Sequence, residues 1–317
     1  MYRYDTIRQI NVFGEKYMKK IVSIIVILVT LFAFVSCEFI PTNTTTPTTD
    51  DSVSSTTTTT STTTATTTTT TTTTTPNETP KEASEGLSYA LHELYEGYTV
   101  VGIGTCTDKD VVILSEYMGL PVYAIGQTAF LESNFIETVF IPDTVVELGY
   151  LPFALCNSLV SIEVSPTHPY FVSINGDLYI KEGVSVTFEG KIFYQYALGK
   201  TDITFTVPGD VDYIAPGAFA SCMTLEEIII SEGVEHIDYA NFSMCTALKT
   251  LHIPSTVINI GPAIMEESAN LETIIYNGTV DQWKNIDKHS SWDWHSAEYT
   301  IYCTDGEISA DGTVTYK

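Results

Sequence analysis

Four side chains near the C-terminal end, His289, Asp293, His295 and Cys303, are of the types that ligate a transition metal, and Trp283, Trp292 and Trp294 lie close to them in sequence. A zinc site needs firm ligand spacing, and a His-x5-His pair with one distant Cys does not supply it. The four are expected to be residues of a terminal cap, with no metal bound. Gly102-Ile-Gly104 has two glycines of a phosphate-binding turn but lacks the rest of that fingerprint and a following helix. No G-x-S-x-G, H-E-x-x-H or paired-carboxylate arrangement occurs, and the 39 acidic residues are spread as a solvated surface would spread them. No catalytic residue and no cofactor are expected. The six cysteines remain. Cys37 follows an uncharged apolar run, Cys106 and Cys303 stand far apart, and Cys156, Cys222 and Cys245 share a spacing with other small residues.

Lys19 and Lys20 precede the apolar run Ile21 to Val35, whose 15 residues fall short of the ~20 that a spanning helix needs. Charge followed by a short apolar stretch is the order of a secretory signal, assigned to residues 1–36. Met18 is an alternative start, because Met18-Lys19-Lys20 would open a signal of ordinary length. Phe34-Val35-Ser36-Cys37 resembles the lipobox of bacterial lipoproteins, in which a small residue precedes a Cys that is acylated; Phe34 stands where that motif usually has Leu. The resemblance implies lipid attachment at Cys37 and a membrane anchor, each buried methylene contributing ~0.8 kcal/mol. A signal cut elsewhere, or a plain anchor helix, with Cys37 a bystander, is the alternative reading.

Residues 37–85 are dominated by Thr with Ser and Pro, unbroken from Thr66 to Thr75. Such a segment has no apolar periodicity with which to offset the entropy of folding, so a disordered, lipid-anchored linker is expected, holding the C-terminal portion of the chain away from a surface. Drawn out in polyproline-like form it would reach about 150 Å. The formal charge of the whole chain is −25. A nucleic-acid duplex would repel such a surface, so nucleic acid is excluded as a partner.

The last 232 residues carry an internal repeat. Ile125, Leu148, Ile214, Ile237 and Ile260 form one apolar column in steps of 23, apart from the longer step between Leu148 and Ile214. Phe130, Phe153, Phe219, Phe242 and Met265 form a second, and Ile136, Leu159, Leu225, Leu248 and Leu271 a third. Val139, Ile162, Ile228, Leu251 and Ile274, with Ile141, Val164, Ile230, Ile253 and Tyr276 two residues on, show the period of a short strand with both side chains inward. A unit of this length cannot bury its own apolar side, so coils must stack. Cys156, Cys222 and Cys245 occupy one column with Ser133 and Ser268. They are expected to be small packing residues with free thiols, although stacked coils about 5 Å apart would also permit a Cys222–Cys245 bridge.

Ile214-Ala-Pro-Gly-Ala-Phe219-Ala-Ser-Cys222-Met-Thr-Leu225-Glu-Glu-Ile228-Ile-Ile230 resembles the BspA-like (Treponema pallidum type) leucine-rich repeat, and Ile125-Gly-Gln-Thr-Ala-Phe130 and Leu251-His-Ile253-Pro254-Ser-Thr-Val257 match other parts of it. Tyr98 to Asp110 resembles an opening segment and Tyr276 to Trp283 a closing segment of such proteins. The fold expected is a repeat solenoid, a right-handed leucine-rich repeat coil with one parallel β-sheet and mostly irregular returns, over residues 86–303. An irregular unit is expected at about 165–208, one or two coils or a hairpin with the sheet continuing through, a cap at about 277–303, and a tail from 304 to 317.

If Ile228 and Ile230 point inward, Glu227 and Ile229 point outward. Repeated across the coils, this predicts two outward ladders: Thr138, Ser161, Glu227, Thr250 and Thr273, and beside them Phe140, Glu163, Ile229, His252 and Ile275. Solvent-facing Phe140, Ile229 and Ile275 suit a covered surface, although a twisted sheet also tolerates a few exposed β-branched residues for strand propensity alone; these ten residues are the candidate ligand face. The family resemblance implies attachment to a protein or glycan on another cell or matrix. The expected function is therefore non-catalytic adhesion by an exported, membrane-anchored lipoprotein of a bacterial surface. A surface enzyme or sugar-processing module, or a self-associating structural component, are the competing classes.

Overall fold

The computed structural model describes residues 81–92, 94–184 and 190–317, within one compact unit, Thr79–Lys317. The leader, Cys37 and the Thr-rich linker as far as residue 80 lie outside the described residues; at the linker's expected end, Ser84 is instead buried against β3.

The first part of the unit contains β1 (Ser88–Leu91), β2 (Tyr98–Gly102), β3 (Asp110–Val112), β4 (Glu116–Tyr117), β5 (Leu120–Ile125), β6 (Thr138–Ile141), β7 (Glu147–Leu148) and β8 (Ser161–Val164). Next come β9 (Phe171–Ile174), β10 (Asp177–Ile180) and β11 (Ile192–Gln195). The second part has β12 (Thr204–Val207), β13 (Tyr213–Ile214), β14 (Glu227–Ile230), β15 (His236–Ile237), β16 (Thr250–Ile253), β17 (Asn259–Ile260) and β18 (Thr273–Tyr276). A short helix, Val280–Asn285, then leads to β19 (Asp287–Lys288), β20 (Thr300–Tyr302), β21 (Gly306–Ile308) and β22 (Val314–Tyr316).

The repeat frame becomes a solenoid. Each regular coil spends one four-residue strand and one two-residue strand, and equivalent strands pair in parallel at the 23-residue offset: Glu227 with Thr250, Ile228 with Leu251, Tyr213 with His236. The expected strand residues are inward. Val139, Ile162, Ile228, Leu251 and Ile274 are fully buried, as are Phe130, Phe153, Phe219, Phe242 and Met265 in the returns. The aromatic column stacks from coil to coil, with ring centroids 5.5 Å apart for Phe130–Phe153 and 5.6 Å for Phe219–Phe242. Each such ring removed from water stabilises the coil by about 1.5–3 kcal/mol, but only when its neighbour is present.

The returns are irregular in a repeated way. Thr128, Leu151, Gly217, Ala240 and Ala263 have positive φ, and so do Glu132, Leu155, Ser221, Met244 and Glu267 four residues later in each coil. Side chains other than Gly are strained there. Inter-coil backbone bonds between those two positions hold the conformation: Phe219 N–H donates to Asn241 O at 3.0 Å and Phe242 N–H to Ile264 O at 2.7 Å.

The expectation of one sheet running through is corrected. The longer strands of the coils form two separate ladders, β3-β6-β8 and β12-β14-β16-β18-β20, and the two-residue strands β13, β15, β17 and β19 continue from β11 as a further ladder. Between the halves, β9 and β10 make an antiparallel hairpin and β10 pairs antiparallel with β11. The free edge of β8 is taken by that hairpin's turn, where Ile162 N–H donates to Gly176 O at 2.7 Å. The core divides accordingly, with Phe171 and Leu178 packed into the first half and Tyr179 and Phe193 into the second. Residues after 303, expected as a tail, instead add β21 antiparallel to β20 and β22 antiparallel to β21, and bury Ile308.

Candidate functional site

The predicted outward ladders exist in register but in two pieces. In the first piece Thr138 pairs with Ser161 and Phe140 with Glu163, continued on the other side by Asp110 and Val112 of β3. This piece is covered. Ser84 borders β3, donating its N–H to Val112 O and accepting Val112 N–H on its hydroxyl, both at 3.0 Å. From there the Lys81 ammonium lies 5.2 Å from the centre of the Phe140 ring and pairs with Glu163. Phe140 lies on the outward row, and a cation–π contact of this kind shields its ring.

In the second piece Glu227, Thr250 and Thr273 form one row and Ile229, His252 and Ile275 the other. Thr204 and Thr206 of β12 extend the two rows at one end, and Thr300 and Tyr302 of β20 at the other. Sequence reasoning missed these four, yet a 23-residue step back from Glu227 lands on Thr204 and would have found β12. β20 lies 27 residues beyond β18, out of frame. Among these residues Glu227 carries the only formal charge, and its carboxylate is 2.8 Å from His252 Nε2. Ile229 and Ile275 are half-buried because each sits between ladder neighbours, so neither is an isolated exposed apolar side chain. Glu163 and Ile229, adjacent in the predicted ladder, lie on different sheets.

The cysteine column has a role that sequence reasoning did not anticipate. Cys156 Sγ donates to Phe130 O at 2.9 Å, Cys245 Sγ to Phe219 O at 3.1 Å, and Ser268 Oγ to Phe242 O at 2.5 Å. Each satisfies a carbonyl of the preceding coil, which explains why one column accepts both thiol and hydroxyl. Cys106, Cys156, Cys222, Cys245 and Cys303 are all free and buried. Burial pushes the Cys156 thiol up to about 12 and the Cys245 thiol well above its ordinary value, which leaves both protonated and poorly nucleophilic.

The metal-capable residues do not converge. Tyr299 OH donates to Asp293 at 2.8 Å, His289 Nδ1 lies 2.9 Å from Ser291 Oγ, His295 stacks on Trp294, and Cys303 is buried. Among the described residues no three His, Cys, Asp or Glu side chains are grouped to hold a metal ion. At Gly104 a Cβ would lie 2.1 Å from Gly86 O, so this glycine serves a close backbone approach.

Residues 116–175 and 186–289 match the BspA type leucine-rich repeat region in six copies. The chain belongs to that family. The matched BspA-type segments include the outward rows of β6, β8, β14, β16 and β18. No curated protein matches this BspA-type chain. Among solved structures it is similar to a leucine-rich repeat protein from Eubacterium ventriosum, at 26% identity over 54% of this chain and 44% of that one, with a TM-score of 0.46. It is also similar to the pneumococcal vaccine antigen PcpA, at 18% identity over 61% and 51%, with a TM-score of 0.46. A third is a leucine rich cell surface protein from Faecalibacterium prausnitzii, at 23% identity over 53% and 55%, with a TM-score of 0.33. The BspA-type chain spans about half the length of each.

Proposed function

We propose that this BspA-type chain is a non-catalytic binding protein of a bacterial surface, exported by its leader, anchored through a lipid on Cys37, and adhesive through the outward face of β12, β14, β16, β18 and β20. One observation carries the binding site: in a chain of charge −25, this face is a continuous ribbon of Thr, Ile, Tyr and His whose one carboxylate is already paired. Solenoids present rigid, extended faces, and an uncharged ribbon framed by acidic surface suits a protein or glycan partner that supplies hydroxyl or amide groups. Family membership, the Thr-rich linker and the lipobox-like leader support the surface placement. Many copies on one cell would multiply modest individual affinities.

The test has two arms. Replacing Cys37 by Ala should release the protein from membranes, and continued fractionation with membranes would remove the lipid anchor. Probing protein and glycan arrays with the full chain should yield a partner whose binding is lost in Ile229→Ser/His252→Ala and kept in Phe140→Leu. Turnover of any array member would overturn the binding-only reading, and self-association with no foreign partner would favour a structural role.

A further inference from the structure

Exposed apolar side chains gather around the first hairpins of the unit. Leu91 is 68% exposed, Leu94 81% and Met118 78%, and beneath them three tyrosine rings pack together: Tyr89 stacks on Tyr117 at 4.2 Å, and Tyr98 meets Tyr117 edge-on at 4.9 Å. Leu91 pairs with Tyr98 across β1 and β2, and Tyr98 OH lies 3.8 Å from Met118 Sδ, so Leu91, Tyr98, Tyr117 and Met118 form one surface.

The backbone under Met118 is strained. Met118 and Gly119 close β4 onto β5 with φ of 51° and 81°, a two-residue loop with both central residues left-handed, as a type I′ turn requires. The same chain solves the same problem between β9 and β10 with Asn175-Gly176, at φ of 54° and 85°. Asn suits the first position because its short amide tolerates the left-handed region; Met does not. The other non-Gly left-handed residues of the coils recur in columns held by inter-coil hydrogen bonds, and Met118 belongs to neither column. Its strain holds an apolar thioether out in water, a local conflict of the kind that marks functional positions.

We propose that Met118 and Leu91 with the Tyr98/Tyr117 rings form a docking surface for a cationic polypeptide segment bearing apolar side chains. The frame decides the sign of the partner. Glu116, next to Tyr117, and Glu96, two residues before Tyr98, are both exposed. From Lys81 to Lys181 the one intervening lysine is Lys109, and both Lys81 and Lys109 are committed to ion pairs, with Glu163 and Glu137. A second copy would bring the same carboxylates and be repelled, and an anionic lipid surface likewise. Met and Tyr are enriched at the cores of protein interfaces, and Met adapts to varied apolar partners. This surface is independent of the β12–β20 ribbon.

Fluorescence anisotropy of short labelled peptides against the full chain in a neutral detergent tests it. An alternating Leu/Lys peptide should bind at least about tenfold more tightly than a Leu/Glu peptide, and added salt should weaken it. Met118→Asn/Leu91→Ser should lose at least about tenfold of that affinity, whereas Ile229→Ser/His252→Ala should retain it. Met118→Asn alone should melt at the same temperature as the parent or higher, since it installs the residue the turn prefers, so lost binding would not reflect unfolding. Equal binding of the two peptides, or binding untouched by the patch variant, would overturn the proposal. Self-association abolished by the same variant would also overturn it, and would assign the patch to a second copy. Loss of the ribbon's own partner in the ribbon variant alone leaves the two sites distinguishable.

Discussion

From Tyr213 to Tyr276 the apolar packing falls on residues with counterparts 23 positions away, whereas between β8 and β12 the chain relies on interactions made once. In the regular coils the apolar columns, the left-handed positions and the Cys/Ser donors repeat, and ion pairs such as Lys249–Glu226, with side chains about half exposed, sit outside the core. In the irregular unit the carboxylate of Asp177 is buried, accepts Ala197 N–H at 2.9 Å and pairs with Lys200 at 2.6 Å, while Lys200 also lies over the Tyr196 ring. Tyr194 OH ties the unit back to Gly149 O of the first half at 2.8 Å. Periodicity lets a coil use the same apolar contact repeatedly. Where the period fails, a polar network fixes one arrangement, and its loss is correspondingly local and severe.

The largest expected effect lies at the boundary of the two regions. Phe219 is fully buried and stacks on both Phe193 of the irregular unit, at 4.9 Å, and Phe242 of the next coil. Phe219→Asp places a charge in that stack, and the variant should show no cooperative thermal transition by circular dichroism. A native-like melt would mean that the aromatic column does not couple the halves.

Next is a matched pair of lysine variants. Lys200→Met strands the buried Asp177 carboxylate and should cost about 3–5 kcal/mol. Lys249→Met, at an exposed pair, should change stability by less than about 1 kcal/mol. Comparable losses in urea denaturation would erase the distinction between the irregular unit and the regular coils.

A pH titration probes the same contrast. Burial raises the Asp177 carboxyl from its ordinary value of 3.8 to about 6, against the lowering effects of Lys200 and the Ala197 N–H. Between about pH 4 and pH 6 the folded chain then holds a proton that the unfolded chain has released, so this group's contribution falls as pH rises, by on the order of 1–3 kcal/mol. Asp177→Asn should flatten that slope, and an identical pH profile in the two chains would refute the assignment.

Smaller still, Ile229→Ser/His252→Ala should lower stability by only about 1–2 kcal/mol, because both side chains are half-buried on the regular face. The smallest effect expected is none: reducing agent should leave the melting temperature of the folded unit unchanged, since its five described cysteines are free. A thiol reagent should meet no reactive group among them until the coils open.

The solenoid was legible in the linear order of residues because inward positions recur at a fixed spacing, and burial demands the same side-chain type at each recurrence. The columns from Ile125 to Ile260 and from Phe130 to Met265, the direction of Ile228 and Ile230, and the pairing of Glu227 with Thr250 all derive from that one constraint. Where the constraint lapses, only the three-dimensional structure decided the outcome. The hairpin of β9 and β10 splits the outward ladder, Lys81 reaches over Phe140, β21 and β22 extend the second sheet, and Tyr194 OH bonds to Gly149 O. Each of these joins residues at separations that no repeat prescribes, selected by packing and hydrogen-bond satisfaction between particular atoms. A period specifies which side chains must be buried together; it carries no information about contacts that occur once.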